Sequence, residues 1–105
     1  MRRTHALIQV AIALMDDPAG RYWGYDLSKR AGVRSGVLYP ILARMLQEGW
    51  LDDGWEDPAK ISAKRPPRRY YELTAQGHAE LGAILHNARS DTRFGALVGR
   101  LALDG

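Results

Sequence analysis

The sequence predicts a mainly α-helical domain with one small β-hairpin. Three observations carry this expectation. Four stretches repeat apolar residues at helical spacing, with turn or capping residues between them. One run, Arg69–Leu73, is rich in aromatics and follows a loop containing proline and lysine. The chain has 105 residues and no cysteine, so disulfides, thiolate nucleophiles and cysteine-based zinc sites are excluded and one packed core must hold it.

The first helix is expected over Thr4–Asp16. Leu7, Val10, Ala11 and Leu14 share one face, and Ile8, Ile12 and Met15 a neighbouring one. An apolar surface this wide suggests burial on two sides, against the core and against either a partner subunit or more of the same chain. Asp17-Pro18-Ala19-Gly20 breaks the helix. A second, short helix fits Tyr25–Ala31, with Gly32 placed to end it in the left-handed conformation. Ser35 suits the N-cap of a third helix reaching about Glu48, in which Leu38, Ile41, Leu42 and Met45 follow i, i+3, i+4, i+7. Pro40 falls near the end of its first turn, where it removes a backbone donor, and Gly49 closes it.

Trp50-Leu51 and Trp55 open an extended stretch. Asp53-Gly54 is a turn signal that would fold a tiny hairpin of its own, but a bulge within one longer strand is preferred, because Arg69–Leu73 needs a partner. Tyr70 and Tyr71 alternate, one inward and one outward. Thr74 caps a fourth helix over Ala75–Ala88. Ser90 or Asp91 caps a last one, carrying Phe94, Leu97, Val98 and Leu101. Residues 1–89 thus read as the main domain and 90–105 as a short C-terminal element.

Two constellations bear on function. The second and third helices, joined by a turn at Gly32, make a helix-turn-helix. Arg34, Ser35, Gly36, Val37, Tyr39, Pro40, Arg44 and Gln47 form the outer surface of the third helix and its entry. Gly36, Pro40 and Ala43 are compact enough to approach a major groove, and Ser35, Tyr39, Arg44 and Gln47 carry the hydrogen-bonding groups. The second constellation is the hairpin loop with Lys60, Lys64, Arg65, Arg68, Arg69 and Tyr70. No acidic residue interrupts Ala59–Tyr71, and Pro66-Pro67 stiffens it. Cations without local compensation suit contact with phosphates, and double-stranded DNA is the expected partner.

Taken in order, Gly24-Tyr25-Asp26-Leu27, Gly36-Val37-Leu38-Tyr39-Pro40-Ile41-Leu42, Leu46-Gln47-Glu48-Gly49-Trp50-Leu51 and Arg65-Pro66-Pro67-Arg68-Arg69-Tyr70-Tyr71-Glu72-Leu73-Thr74 with Gly77 resemble the PadR-like transcriptional regulators. The resemblance spans about Leu7–Leu85. It implies a winged helix-turn-helix with flanking dimerisation helices, a homodimer, and repression of nearby promoters from a palindromic operator. Terminal helices usually build the family's dimer interface, which here points to Leu7, Ile8, Ala11, Ile12, Met15, Phe94, Leu97, Val98 and Leu101. The chain departs from the family's wing pattern, with Lys64 where glycine is usual and a second proline inserted.

Catalysis is the weaker class. His5, His78 and His86 are the only histidines, and the last two lie about two helical turns apart, too far for a simple metal pair. Asp52-Asp53 point to opposite faces of a strand, and no phosphate-cradling loop or nucleophile elbow appears. No cofactor is expected. A protein-interaction module for an acidic partner is the alternative that would use the same charges. Trp23, Trp50 and Trp55 offer either an aromatic pocket for a small-molecule effector or core filling, the commoner use in a small domain. The apolar run Ala6–Met15 is too short to span a bilayer and no cleavage site follows it, so no membrane association and a cytoplasmic, nucleoid-associated location are expected.

Overall fold

The computed structural model describes the backbone of residues 1–62 and 64–104, and the side chains of that range as far as Gly99. Among the described residues nine elements follow one another: α1 (His5–Asp16), β1 (Arg21–Trp23), α2 (Gly24–Ala31), α3 (Ser35–Gln47), β2 (Leu51–Trp55), a 3-10 turn (Pro58–Lys60), β3 (Arg69–Leu73), α4 (Ala75–Ala88) and α5 (Gly95–Asp104).

Thr4 is the N-cap of α1 rather than its first residue, and its hydroxyl accepts the Leu7 N–H at 3.1 Å. α1 runs through the middle of the molecule, packed on α2, α3, α4 and α5. Its wide apolar surface is therefore spent largely within the chain: Leu7, Ile8, Val10, Ala11, Ala13 and Leu14 are buried, and Ile12 and Met15 half-buried. The end of α1 is fastened by Tyr22, whose hydroxyl donates to the Asp17 carbonyl (2.9 Å) and accepts the Asp17 N–H (3.1 Å).

Gly32 ends α2 at φ 67°. Its N–H bonds the Lys29 carbonyl, and the Val33 N–H bonds that of Ser28, the paired bonds of a Schellman motif. Arg34, not Ser35, is the N-cap of α3. Pro40 accordingly lies at the sixth helical position, inside the helix, and leaves the Gly36 carbonyl without its i+4 donor. Leu38, Leu42 and Met45 turn inward.

The expected hairpin is two strands of a three-stranded antiparallel sheet, ordered β1-β3-β2. β1 has only three residues, too few to show a period, and forms because Tyr22 pairs with Tyr71. β2 runs straight through Asp53-Gly54, with Leu51 opposite Leu73 and Trp55 opposite Arg69 in unbroken register, so there is no bulge. The Tyr70 ring lies over Gly54, with Cζ 2.5 Å from where a Cβ would stand, so a larger residue there would displace the ring. Tyr71 is buried and Tyr70 half-buried, the alternation expected. Of the tryptophans only Trp50 fills the core. Trp23 is half-buried, and Trp55 is 66% exposed at the end of β2.

Thr74 caps α4, accepting the Gly77 N–H (2.9 Å) and donating to the Gly49 carbonyl (2.6 Å). α5 starts at Gly95, later than either expected cap, because Asp91 first folds a turn: its carboxylate accepts the Arg93 N–H and its carbonyl the N–H groups of Phe94 and Gly95. Phe94 and Val98 enter the common core, Phe94 edge-on to His5 with centroids 4.9 Å apart. No described helix is long and apolar enough to cross a membrane.

Candidate nucleic-acid interface

Burial of Leu38, Leu42 and Met45 forces the opposite side of α3 outward. Arg34, Ser35, Gly36, Val37, Tyr39, Pro40, Arg44 and Gln47 are all exposed there. The groups are not equally free. Arg44 Nε donates to Glu48 at 3.0 Å, one turn further on. Tyr39, 47% exposed, leans on α2: a Cβ at Gly24 would lie 2.9 Å from its Cζ. Tyr25 stands on the outer side of α2, 67% exposed, with the Lys29 ammonium 4.7 Å from its ring centre.

The cationic loop connects β2 to β3. Lys60, Lys64, Arg65, Arg68 and Arg69 are exposed, but the expectation that nothing local compensates them fails for the arginines. Arg65 donates to both carboxylate oxygens of Glu56 (2.8 and 3.2 Å), and Arg68 donates to Glu56 from its backbone N–H (2.8 Å) and its Nε (3.2 Å). Arg69 Nε donates to Asp53 at 2.8 Å. Both acids come from the β2 side of the hairpin, outside Ala59–Tyr71, and antiparallel pairing brings them across. The Arg65 guanidinium, with help from Arg68, holds the Glu56 carboxyl down to about 2. Among the described residues Lys60 and Lys64 have no ion-pair partner.

Aromatic rings hold two of these arginines, and Arg21 of β1, from the side. Arg68 lies 5.5 Å from the Trp23 ring centre, Arg69 lies 5.4 Å from that of Tyr71, and Arg21 stacks on Tyr70 at 3.8 Å. The two groups of candidate residues meet in one place. A groove of about 280 Å³ is lined by Trp23, Gly24, Tyr25, Tyr39, Arg68, Arg69 and Tyr71. Tyr39 of α3 and the arginines at the root of β3 thus face a common space. Glu56, Asp53, Tyr25 and Trp23 were missed as members of this region. Opposite charges on facing strands were the available signal for the first two.

The residues expected at a dimer interface fall into two sets. Leu7, Ile8, Ala11, Phe94 and Val98 are buried within the single chain, whereas Ile12, Met15 and Leu97 keep part of their surface open. The Leu101 side chain lies outside the described residues. Among the described residues no three His, Asp or Glu side chains gather as a metal site.

Residues 17–83 match the model of the transcriptional regulator PadR-like family. The chain belongs to this family. The match covers α2, α3, the whole sheet and the first two turns of α4, so it contains both constellations. The fold of this PadR-family regulator is similar to that of a PadR family transcription regulator from hypervirulent Clostridium difficile R20291. Identity is 20% and the TM-score 0.65, over 82% of this chain and 88% of that one. Bacillus subtilis PadR, solved in complex with operator DNA, is 22% identical with a TM-score of 0.59, over 75% of this chain and 46% of that one. Bordetella bronchiseptica BpsR, whose DNA binding is regulated by 6-hydroxynicotinic acid, is 19% identical with a TM-score of 0.63, over 93% of this chain and 63% of that one. No curated protein matches the chain in sequence. The architecture is that of the winged helix, with α2 and α3 as the helix-turn-helix and the β2–β3 hairpin as the wing.

Proposed function

We propose that this PadR-family regulator is a homodimeric repressor that binds a palindromic operator, with one α3 in each of two major grooves and each wing on the adjacent phosphates. The observation that carries this is the groove where Tyr39 of α3 meets Arg68 and Arg69 of the wing. A duplex seated on α3 brings its backbone to those arginines. Arg34, Ser35, Gly36, Val37, Tyr39, Pro40, Arg44 and Gln47 serve the groove. Lys60, Lys64, Arg65, Arg68, Arg69 and Tyr70 serve the backbone, where contacts set affinity and register while base-edge contacts choose sequence. Phosphate offers Arg65, Arg68 and Arg69 the same charge-assisted acceptor that Glu56 and Asp53 supply in the free chain, so a duplex would take the place of those carboxylates. The operator complex of Bacillus subtilis PadR supports this mode of use.

The dimer surface in this reading is the open part of α1 and α5 around Ile12, Met15 and Leu97, backed by the buried Leu7, Ile8, Ala11, Phe94 and Val98, with residues 90–105 as the dimerisation element. A cleft of about 330 Å³ lined by Met15, Gly82, Leu85, His86, Arg89 and Val98 adjoins it. A small-molecule effector bound there would alter the subunit contact and relieve repression, as 6-hydroxynicotinic acid regulates DNA binding by BpsR. The regulator acts in the cytoplasm, on the nucleoid.

Selection of bound duplexes from a random pool tests the proposal. A palindrome with half-sites about one helical turn apart, ~34–36 Å or a multiple, is expected. Recovery of unselected sequence would overturn sequence-specific binding, and recovery of a single unrepeated site would overturn the symmetric dimer.

A further inference from the structure

Val37 is an anomaly on purely structural grounds. It is the third residue of α3, a position where an acidic or amide side chain would reach back to the helix start and complement its dipole. A β-branched residue there also lowers helix propensity. It is not part of the core either: 41% of its surface is exposed, on a helix whose inward positions already carry leucine and methionine. Helix capping, propensity and core packing therefore give no strong reason for valine at this position.

The neighbours make that exposed apolar surface reachable. A Cβ at Gly36 would meet nothing within 4 Å, and Pro40 and Ala43, the next outward residues, are short. These short neighbours leave that side of Val37 open. Within residues 36–40 Tyr39 alone carries a polar side-chain group, and its ring is turned onto Gly24. The leading part of α3 thus presents methyl and methylene surface outward. The floor of the major groove holds one apolar group for such a surface to recognise, the C5 methyl of thymine.

We propose that Val37 is a base reader, seated by van der Waals contact on a thymine methyl group in each half-site. This rests on the proposed DNA binding and adds its chemistry: the leading turns of α3 choose thymine by an apolar contact, while Arg44 and Gln47, further along the helix, choose by hydrogen bonds.

The test uses the full chain and the best duplex recovered by the random-pool selection, with each thymine replaced in turn by deoxyuridine. That exchange deletes the methyl group and leaves every hydrogen-bonding group in place. Burial of one methyl group corresponds to about fourfold in affinity, so one symmetry-related thymine should show roughly that loss per half-site. V37A should bind the thymine duplex as weakly as the wild type binds the deoxyuridine one, and should not distinguish the two. Because Val37 is exposed, V37A keeps its fold, which thermal unfolding checks. Equal wild-type affinity for thymine and deoxyuridine at every position overturns the inference alone, as does a methyl effect that persists in V37A. Failure to recover any preferred duplex overturns the DNA-binding proposal and this inference with it.

Discussion

Gly77→Ala should unfold this protein more readily than any conservative change to its surface. Gly77 is the third residue of α4, and the helix starts directly against the backbone of Trp50. A Cβ at this position would stand 2.7 Å from the Trp50 carbonyl carbon, 2.9 Å from its Cα, and nearer still to its oxygen. Backbone lies on both sides, so no rotamer change relieves the overlap. The carbonyl carbon alone requires the first turn of α4 to move outward by roughly 0.7 Å to regain ordinary contact at 3.4 Å, and the oxygen requires more. That shift breaks the 3.1 Å bond from the Thr74 N–H to the Trp50 carbonyl and strains the 2.6 Å bond from the Thr74 hydroxyl to Gly49. Overpacking of about 1–3 kcal/mol, plus about 1 kcal/mol for each lost hydrogen bond, outweighs the ~1 kcal/mol that alanine gains in helix propensity. The net loss is about 1–3 kcal/mol, or a fall in Tm of roughly 5–15 °C for a domain of this size. Gly82→Ala is the matched control in the same helix, because its Cβ would meet only the Met15 methyl at 3.8 Å. It should gain up to about 1 kcal/mol. Thermal unfolding followed by circular dichroism reads both. A G77A protein as stable as the wild type, or a G82A protein as damaged as G77A, refutes the close approach of α4 to Trp50.

The wing supplies a pH prediction. The Glu56 carboxyl titrates at about 2 in the folded chain against 4.5 ordinarily, so its tie to Arg65 and Arg68 is fully present above pH ~4.5 and is lost as pH falls from there toward about 2. A carboxyl titration by NMR with a midpoint at the ordinary value would contradict the pairing. Glu56→Gln removes the carboxylate charge at all pH values and should steepen the salt dependence of duplex binding by about one in log K against log salt; an unchanged slope means that the arginines released from the ion pair do not reach phosphate. Arg68→Ala combined with Arg69→Ala should weaken binding to all duplexes and flatten that slope, and a loss confined to one sequence would assign these arginines to base reading instead. Arg44→Ala should relax preference at one operator position, worth about 1–3 kcal/mol of discrimination, and intact preference removes Arg44 from the readers. Gly36→Ala should raise helix stability, since its Cβ meets open space, while lowering duplex affinity about tenfold or more if α3 lies deep in the groove; undiminished affinity means a shallower seat.

How much of this was legible beforehand follows from the range of the forces involved. α4 was readable residue for residue, because its cap at Thr74 and its stripe of Leu81, Ile84, Leu85 and Ala88 are set within four positions of each other. Gly32 was readable for the same reason, since only its own φ is at issue. The outer face of α3 followed once its inner face was known. The start of α5 was misplaced because Asp91 makes a turn first, a choice between two local hydrogen-bonding patterns that residue type leaves undecided. β1 was missed altogether. Its three residues carry no periodicity, and they are extended because Arg21 pairs with Glu72 and Tyr22 with Tyr71, from the far side of the helix-turn-helix.

The candidate interface divides along the same line. By itself the sequence determined where the helices lie, which face of α3 turns outward, and that the hairpin loop is rich in cations, because helical periodicity and chain composition are local properties. Only the tertiary structure decided that Glu56 and Asp53 hold three of those arginines, that Trp55 stays outside the core, and that Tyr39 shares a groove with Arg68 and Arg69. Each of these depends on strand pairing or packing between residues far apart in the chain, and such contacts leave no repeat in any short stretch of sequence.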